Sequence, residues 1–161
     1  MGTFHNVLMT EYGRCPPDCT VCKEACLKRM DGREAGIQPV HLPEVDFHGV
    51  VRCNQCITPV CAQGCPTKAI TRIDGVVRID RERCVGCGLC TLSCSYGGIF
   101  HDGVTKKAYS CDMCDQSPEC VEACHHGVLT MGQTRSMLEH LGEDILSRGF
   151  PFVRGAPRNL P

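Results

Sequence analysis

The chain has 161 residues, a mass of 17.6 kDa and a formal net charge of −1, and it contains 16 cysteines, no tryptophan and 5% aromatic residues. The near-neutral charge excludes the basic surface that nucleic acids require, and no apolar run is long enough to span a membrane. We therefore expect about one domain, with no nucleic-acid partner and no direct membrane insertion.

The first predicted elements are a strand, a long loop and a hairpin. Residues 4–10 read as the opening strand, and residues 27–52, interrupted by proline and glycine, read mostly as loop. Asp74-Gly75 then separates two β-branched runs, which predicts a hairpin formed by residues 69–73 and 76–79.

A second hairpin and a terminal helix complete the predicted elements. Asp102-Gly103 separates residues 98–101 from 104–109 in the same way as the first hairpin turn. Residues 128–131 read as the partner of the opening strand. Residues 136–146 carry apolar side chains at helical spacing, and the stretch after them should be extended.

The cysteines fall into four groups of four. The groups are Cys15, Cys19, Cys22 and Cys26; Cys53, Cys56, Cys61 and Cys65; Cys84, Cys87, Cys90 and Cys94; and Cys111, Cys114, Cys120 and Cys124. Four thiolates hold one cubane iron–sulfur cluster, so the count allows four [4Fe–4S] clusters with no thiol left over. Each group should wrap its cluster tightly, and the fourth cysteine of each group should begin a short helix that leads away.

Two other uses of the cysteines are weighed against this interpretation. A disulfide scaffold needs export, but the N-terminus lacks the basic start and apolar stretch of a secretory signal, so we expect a cytoplasmic protein with reduced thiols. Zinc ribbons use two separated C-x-x-C pairs. The third group instead has three cysteines at spacing three and a fourth four residues later, which is the run of bacterial ferredoxins.

Bound clusters would also compensate for a thin core. Without its cysteines, roughly a third of the chain is conventional apolar residue, which is little for this length. Metal bonded to several points of a chain can replace a hydrophobic core, as structural zinc does in small domains. We therefore predict that the metal-free protein does not fold stably.

The cysteine motifs resemble known iron–sulfur proteins. The span from Cys53 to Cys94, with its Cys53-x-x-Cys56-x4-Cys61-x3-Cys65-Pro66 run, resembles a two-cluster bacterial ferredoxin. The span from Cys15 to Cys124 resembles the four-cluster electron-transfer subunits of redox complexes, such as the iron–sulfur subunits of dimethyl sulfoxide reductase and formate dehydrogenase. In size it is similar to small subunits of tungsten aldehyde oxidoreductase and benzoyl-CoA reductase.

This resemblance implies a function in anaerobic metabolism and a set of partners. The protein would be a non-catalytic subunit that relays single electrons through four [4Fe–4S] clusters. One partner would be a large catalytic oxidoreductase subunit, a tungsten or molybdenum enzyme, and the other a further electron carrier or a flavin subunit. Stacked copies passing electrons to one another are also compatible with the sequence.

The resemblance further implies interleaved cluster ligands in an α+β fold with two ferredoxin-like lobes related by pseudo-twofold symmetry. The lobes, built from short helices and small antiparallel hairpins, would be residues 46–108, and residues 1–45 with 109–132. Residues 133–161 would add a C-terminal helix and an extended docking arm. The ligand sets would be Cys15, Cys19, Cys22 and Cys124; Cys53, Cys56, Cys61 and Cys94; Cys84, Cys87, Cys90 and Cys65; and Cys111, Cys114, Cys120 and Cys26.

Two other functional classes remain alternatives. The Cys15-x3-Cys19-x2-Cys22 spacing matches radical enzymes that bind S-adenosylmethionine and leave one iron open. A zinc- or cluster-based regulator is the other alternative, and it would need a DNA-reading element. The only candidate helix, residues 136–146, carries acidic side chains that phosphate would repel.

Overall fold

The fold consists of short helices and small hairpins, as the sequence predicts. A computed structural model of the chain describes residues 6–11, 14–30 and 34–133. The helices are α1 (Val21–Arg29), α2 (Val60–Gln63), α3 (Leu89–Ser93) and α4 (Glu119–Glu122). The strands are β1 (Asn6–Thr10), β2 (Ile37–Leu42), β3 (Phe47–Arg52), β4 (Ile70–Ile73), β5 (Val76–Ile79), β6 (Ile99–His101), β7 (Ala108–Ser110) and β8 (Leu129–Gln133).

The strands pair two by two. In the described part of the chain, β1 pairs with β8, β2 with β3, β4 with β5 and β6 with β7. Each of these pairs is antiparallel. The pairing of β1 with β8 brings the two ends of the described chain together, with Leu8 opposite Met131. This confirms the predicted partnership of residues 4–10 and 128–131 over the part of it that the structure describes.

The β4–β5 hairpin forms at the predicted turn. Ile73 pairs with Val76 across a two-residue turn in which Asp74 and Gly75 have φ angles of 49° and 83°. Positive φ at both positions is the type I′ arrangement, whose twist matches the twist of the flanking strands. Asp-Gly is favoured there because these two residues tolerate positive φ at low cost.

The β6–β7 hairpin has a wider turn than predicted. The expected two-residue turn at Asp102-Gly103 is wrong, since the strands end at His101 and resume at Ala108. The Asp102 carboxylate accepts hydrogen bonds from the backbone N–H groups of Val104 at 2.7 Å and Thr105 at 2.9 Å. This Asx-type capping folds the intervening residues into a loop and keeps them out of the strand ladder.

Residues 27–30 and 34–52 contain more regular secondary structure than predicted. The expectation of a loop is wrong, because residues 21–29 form α1 and β2 and β3 form a six-residue hairpin around a 3₁₀ turn at Pro43–Val45. Pro39 lies within β2, which among the described strands pairs with β3 alone, so its missing N–H can face away from the ladder. The buried side chains of Ile37 and Val50 hold the hairpin on the molecule.

The short helices also differ from expectation. The fourth cysteine of a group was expected to begin a helix, but α2, α3 and α4 contain the third cysteine and end before the fourth. Pro59 and Pro118 precede α2 and α4 and fix their start, whereas Pro66 lies in a turn. Cys94, just past α3, is extended at φ −83° and ψ 108°, which lets it point away from its own group.

The core is divided into two parts, both rich in cysteine. The first part includes Ile70, Val77 and Ile99, and the second includes Ile37, Met113 and Leu129. Among the described residues no helix is long and apolar enough to cross a membrane. The predicted helix 136–146 and the extended stretch after it lie outside the described residues.

Candidate metal centres

Three cavities are each lined by four cysteines that come from two different groups. The first cavity, with an empty volume of about 330 Å³, is lined by Cys15, Cys19, Cys22 and Cys124. The second, of about 330 Å³, is lined by Cys65, Cys84, Cys87 and Cys90. The third, of about 410 Å³, is lined by Cys26, Cys111, Cys114 and Cys120. We call them site 1, site 3 and site 4 after the group that contributes three cysteines.

The remaining four cysteines interact with one another electrostatically. Burial, with smaller contributions from the neighbouring charges of Cys53, Cys94 and Cys56, raises the pKa of Cys61 to about 11. Burial also raises the pKa of Cys53, with contributions from Cys56 and Cys94. Cys94 therefore lies with the first three cysteines of the second group, and we call this set site 2.

The four sites follow one another through the molecule. Repulsion from Cys22 contributes to the raised pKa of Cys120, so site 1 neighbours site 4. Cys53 acts in the same way on Cys111, so site 4 neighbours site 2. Sites 2 and 3 share the first part of the core, which contains Cys61 and Cys90. The spatial order is site 1, site 4, site 2 and site 3.

The chemistry of these sites fits four-thiolate clusters. Burial is the main cause that raises the pKa of Cys111 and Cys120 to about 12 and that of Cys22 to about 11. Thiolates crowded into an apolar cavity are costly unless a metal centre compensates their charge. Within residues 6–11, 14–30 and 34–133, no three His, Cys, Asp or Glu side chains converge closely enough to hold one ion. The four cysteines of sites 1, 3 and 4 each line a common cavity, which is the arrangement that a cluster requires.

Backbone N–H groups point at the sulfurs of site 3. Ala69 N–H donates to Cys65 Sγ and Ala108 N–H donates to Cys84 Sγ, each at 3.3 Å. Burial raises the pKa of Cys65, but hydrogen bonds from the Thr67 hydroxyl and from backbone N–H groups outweigh it and lower the pKa overall. Such hydrogen bonds stabilise ligand charge and set cluster potential.

Two glycines allow the backbone to close around the sites. Gly86 has a φ of 71°, and a Cβ there would lie 2.9 Å from the Lys106 carbonyl oxygen. A Cβ on Gly36 would lie 2.7 Å from Cys111 Cα. The Gly36 and Ile37 N–H groups lower the pKa of Cys26, against the larger effect of burial, which raises it.

Charged residues near the sites are partly compensated. Asp115, which follows Cys114, lies 3.0 Å from Arg78 and 3.7 Å from Arg29. Arg78 in β5 is partly exposed and pairs across to Asp115 beside site 4. His125 and His126 line the cavity of site 1 but are exposed.

Sequence reasoning missed two buried polar residues, Arg52 and Gln55. Gln55 Nε2 donates to the Cys111 carbonyl oxygen at 2.7 Å, and its Oε1 accepts from Val77 N–H at 2.6 Å. The side chain thus connects the loop of site 2 to that of site 4. Both residues lie next to cysteines of the second group, but nothing in the sequence distinguishes them from the other polar residues of the cysteine loops.

Comparisons with known proteins agree with this chemistry. A family model described as a 4Fe-4S dicluster domain matches residues 45–134. The beta subunit of the NADH-dependent phenylglyoxylate dehydrogenase of Aromatoleum evansii is 29% identical over 99% of this chain and 38% of that subunit. An uncharacterized ferredoxin of Methanocaldococcus jannaschii is 32% identical over 82% of this chain and 75% of its own length.

One solved structure is also similar in outline. The active site complex of benzoyl-coenzyme A reductase, solved with benzoyl-CoA, contains a chain that is 20% identical, with a TM-score of 0.49 over 94% of this chain and 95% of that one. The chain spans well under half the length of the phenylglyoxylate dehydrogenase subunit.

Proposed function

The chain belongs to the 4Fe-4S dicluster domain family, and on this premise we propose that it carries four [4Fe–4S] clusters in sites 1 to 4 and relays single electrons along them. The observation that supports this most is the mixed origin of the cysteines around each cavity. Three cavities each take three cysteines from one group and one from another. This is the interleaving expected of paired clusters in a ferredoxin.

The protein's own residues supply ligands, burial and hydrogen bonds, and the clusters supply the redox chemistry. The family model covers the second, third and fourth cysteine groups, and the first group lies outside it. Cys124 lines site 1 together with Cys15, Cys19 and Cys22. A fourth thiol there favours an electron carrier over an enzyme that keeps an iron open for S-adenosylmethionine.

The two parts of the core support a division into two lobes. One lobe would comprise residues 46–108 with sites 2 and 3, and the other residues 1–45 with 109–132 and sites 1 and 4. The first part of the core draws its buried members from residues 53–108. In the second part, Leu8, Cys22, Cys120 and Leu129 come from both segments of the other lobe, and Val50 and Val76 join them from residues 46–108.

For partners we propose a large catalytic oxidoreductase subunit, a tungsten or molybdenum enzyme, together with a further electron carrier or flavin subunit in the cytoplasm. A relative of this chain is named as a dehydrogenase subunit, which supports a place in a multi-subunit complex. Purification from the native host, with tungsten and molybdenum analysis of what copurifies, tests this. A complex that contains neither metal would refute the choice of partner.

Site 3 is the proposed docking point for the small electron carrier. Cys87 is exposed, and the Val85 side chain, which lines the same cavity, is 68% exposed. An exposed apolar side chain next to an accessible cluster suits a redox contact, because the centre of a protein interface is apolar. Val85→Glu should slow reduction by the carrier several-fold, whereas Val45→Glu, an exposed change in the β2–β3 turn, should not.

Iron and acid-labile sulfide analysis of the anaerobically purified chain tests the proposed function itself. Four clusters require about 16 iron atoms and as many sulfides per chain, with spin-coupled EPR signals on reduction. Zinc in place of iron would contradict an electron relay. A count near 12 would remove one site from the proposal, and the ligand variants described below would identify it.

A further inference from the structure

Arg52 is a buried cation at the junction of two sites. It ends β3, directly precedes Cys53, and is 7% exposed. Its Nη1 donates to the Cys53 carbonyl oxygen at 2.8 Å, and its Nη2 donates to the carbonyl oxygen of Leu8 in β1. The guanidinium therefore lies inside the molecule, held by two separate segments of backbone.

The surroundings of Arg52 belong to site 2 on one side and site 4 on the other. Arg52 pairs with Ile37 across the β2–β3 hairpin, and the N–H groups of Ile37 and Gly36 point at Cys26 of site 4. A Cβ on Gly98 would overlap the Arg52 carbonyl, so the backbone at Gly98 is a third segment that packs directly against Arg52. A Cβ on Gly36, the neighbour of Ile37, would lie 2.7 Å from Cys111 Cα, so the strand that pairs with Arg52 also packs against site 4.

We propose that the buried charge of Arg52 raises the reduction potentials of both central clusters, those of sites 2 and 4. This inference rests on the proposed function. A cluster with four thiolate ligands is net negative and gains one more negative charge on reduction. A fixed cation in a poorly solvated position stabilises the reduced form more than the oxidised form. Arginine suits this role because it stays protonated when buried.

Sharing one cation between neighbouring sites has a functional consequence. If both central potentials rise together, Arg52 adds no step between sites 4 and 2, and the terminal sites 1 and 3 are tuned separately. Site 3 has its own hydrogen bonds to Cys65 and Cys84 for that purpose. The charge of Arg52 thus acts on the two central clusters and not on the terminal ones.

The chain offers matched controls for this charge. Arg14 and Arg83 also directly precede the first cysteine of a group, as Arg52 does. The Arg14 side chain is 63% exposed and pairs with Glu11 at 2.7 Å. Arg83 makes an exposed hydrogen bond to the Thr67 carbonyl oxygen at 3.0 Å. Solvent screens both charges, so their loss should leave cluster potentials nearly unchanged.

The test is an EPR-monitored redox titration of the full chain loaded with its clusters. Arg52→Gln and Arg52→Met should lower two of the four potentials and leave two in place. We expect about a tenfold loss in the reduction equilibrium, which is about 59 mV for one electron. Arg52→Lys should keep all four potentials near those of the unaltered protein, and so should Arg14→Gln and Arg83→Gln.

Several outcomes would overturn the inference. These are unchanged potentials in the neutral variants, an equal shift of all four clusters, or a shift in Arg52→Lys as large as in Arg52→Gln. Failure of both neutral variants to load iron while Arg52→Lys loads fully would assign Arg52 to assembly and would also overturn it. Iron content and EPR signals of the unaltered protein report on the proposed function separately, so the two can fail independently.

Discussion

Cys65 lines the same cavity as Cys84, although the two belong to different cysteine groups. The chain turns at Pro66 immediately afterwards, and the Ala69 N–H closes back onto Cys65 Sγ at 3.3 Å. Helix α2 ends before Cys65, which frees that cysteine to leave its own loop. The second and third groups are in this way connected by the cavity of site 3 as well as by the β4–β5 hairpin between them.

Because a cavity takes one cysteine from a second group, the number of clusters lost in double cysteine variants can be predicted. Cys65→Ala and Cys84→Ala should each cost one cluster, about four iron atoms, and the double variant should cost the same single cluster. Cys65→Ala combined with Cys61→Ala should cost two clusters, because these residues lie in different sites. Iron analysis measures both, and the reverse pattern would show that each group holds its own cluster.

Adding one methyl group at Gly98 should have a large effect on stability. A Cβ there would overlap the Arg52 carbonyl and press on the backbone N of Cys53, neither of which can move easily. Gly98→Ala should therefore lower the free energy of unfolding of the loaded protein by about 1–3 kcal/mol or more. Denaturant unfolding under anaerobic conditions measures this change.

The control for Gly98 lies at the other end of the same hairpin. A Cβ on Gly103 would have no heavy atom within 4 Å, so Gly103→Ala should be nearly neutral. Equal stability of the two variants would contradict the close backbone approach at Gly98.

The Asp102 carboxylate should stabilise the β6–β7 loop to the same extent at every pH near neutrality. Hydrogen bonds from the Thr105 and Val104 N–H groups, and then from Arg81, hold the pKa of this carboxyl well below its usual range. A lowered pKa means that the stabilisation is present above the ordinary value near 3.8 and is lost only as the pH falls below it. Asp102→Asn should lower the melting temperature by a similar amount at every pH between about 6 and 8.

Thermal unfolding followed by circular dichroism measures that difference. Glu44→Gln, a change of the same kind in the exposed β2–β3 turn, serves as its control and should leave the melting temperature unchanged. A difference between Asp102→Asn and the unaltered protein that grows steadily across this pH range would contradict a carboxyl that stays ionised.

Cluster removal should unfold the chain. The two parts of the core include six buried cysteines that cluster ligation would tie together, among them Cys53, Cys61 and Cys120. Without metal these thiols offer little apolar area, since full burial of a large apolar side chain contributes only about 1.5–3 kcal/mol. Chelator treatment should abolish the cooperative thermal transition, and a metal-free protein that keeps this transition would contradict the prediction.

The elements that the sequence predicts well are those with strong local signals. The Asp74-Gly75 hairpin was predictable because Asp-Gly between two β-branched runs favours a two-residue type I′ turn. The β2–β3 hairpin was missed because Pro39 and Pro43 look like loop residues, although Pro39 is tolerated in a strand with a single neighbour. The turn at Asp102 was predicted too tight because side-chain capping by its carboxylate cannot be read from the dipeptide.

The candidate sites were only partly predictable. Cysteine spacing predicts the number of thiols for each cluster, and the family resemblance supplies the interleaving. Arg52 and Gln55 could not be predicted, because nothing in the sequence says which polar side chains of a loop turn inward. Their burial depends on the contact between two sites that are distant in the sequence.

Anomalous diffraction at the iron edge, from crystals grown anaerobically, tests the central claim most directly. The account predicts four separate iron centres per chain, in the order site 1, site 4, site 2 and site 3, each bounded by three cysteines of one group and one of another. Four centres each enclosed by a single group, or fewer centres with the remaining cysteines in disulfides, would contradict it.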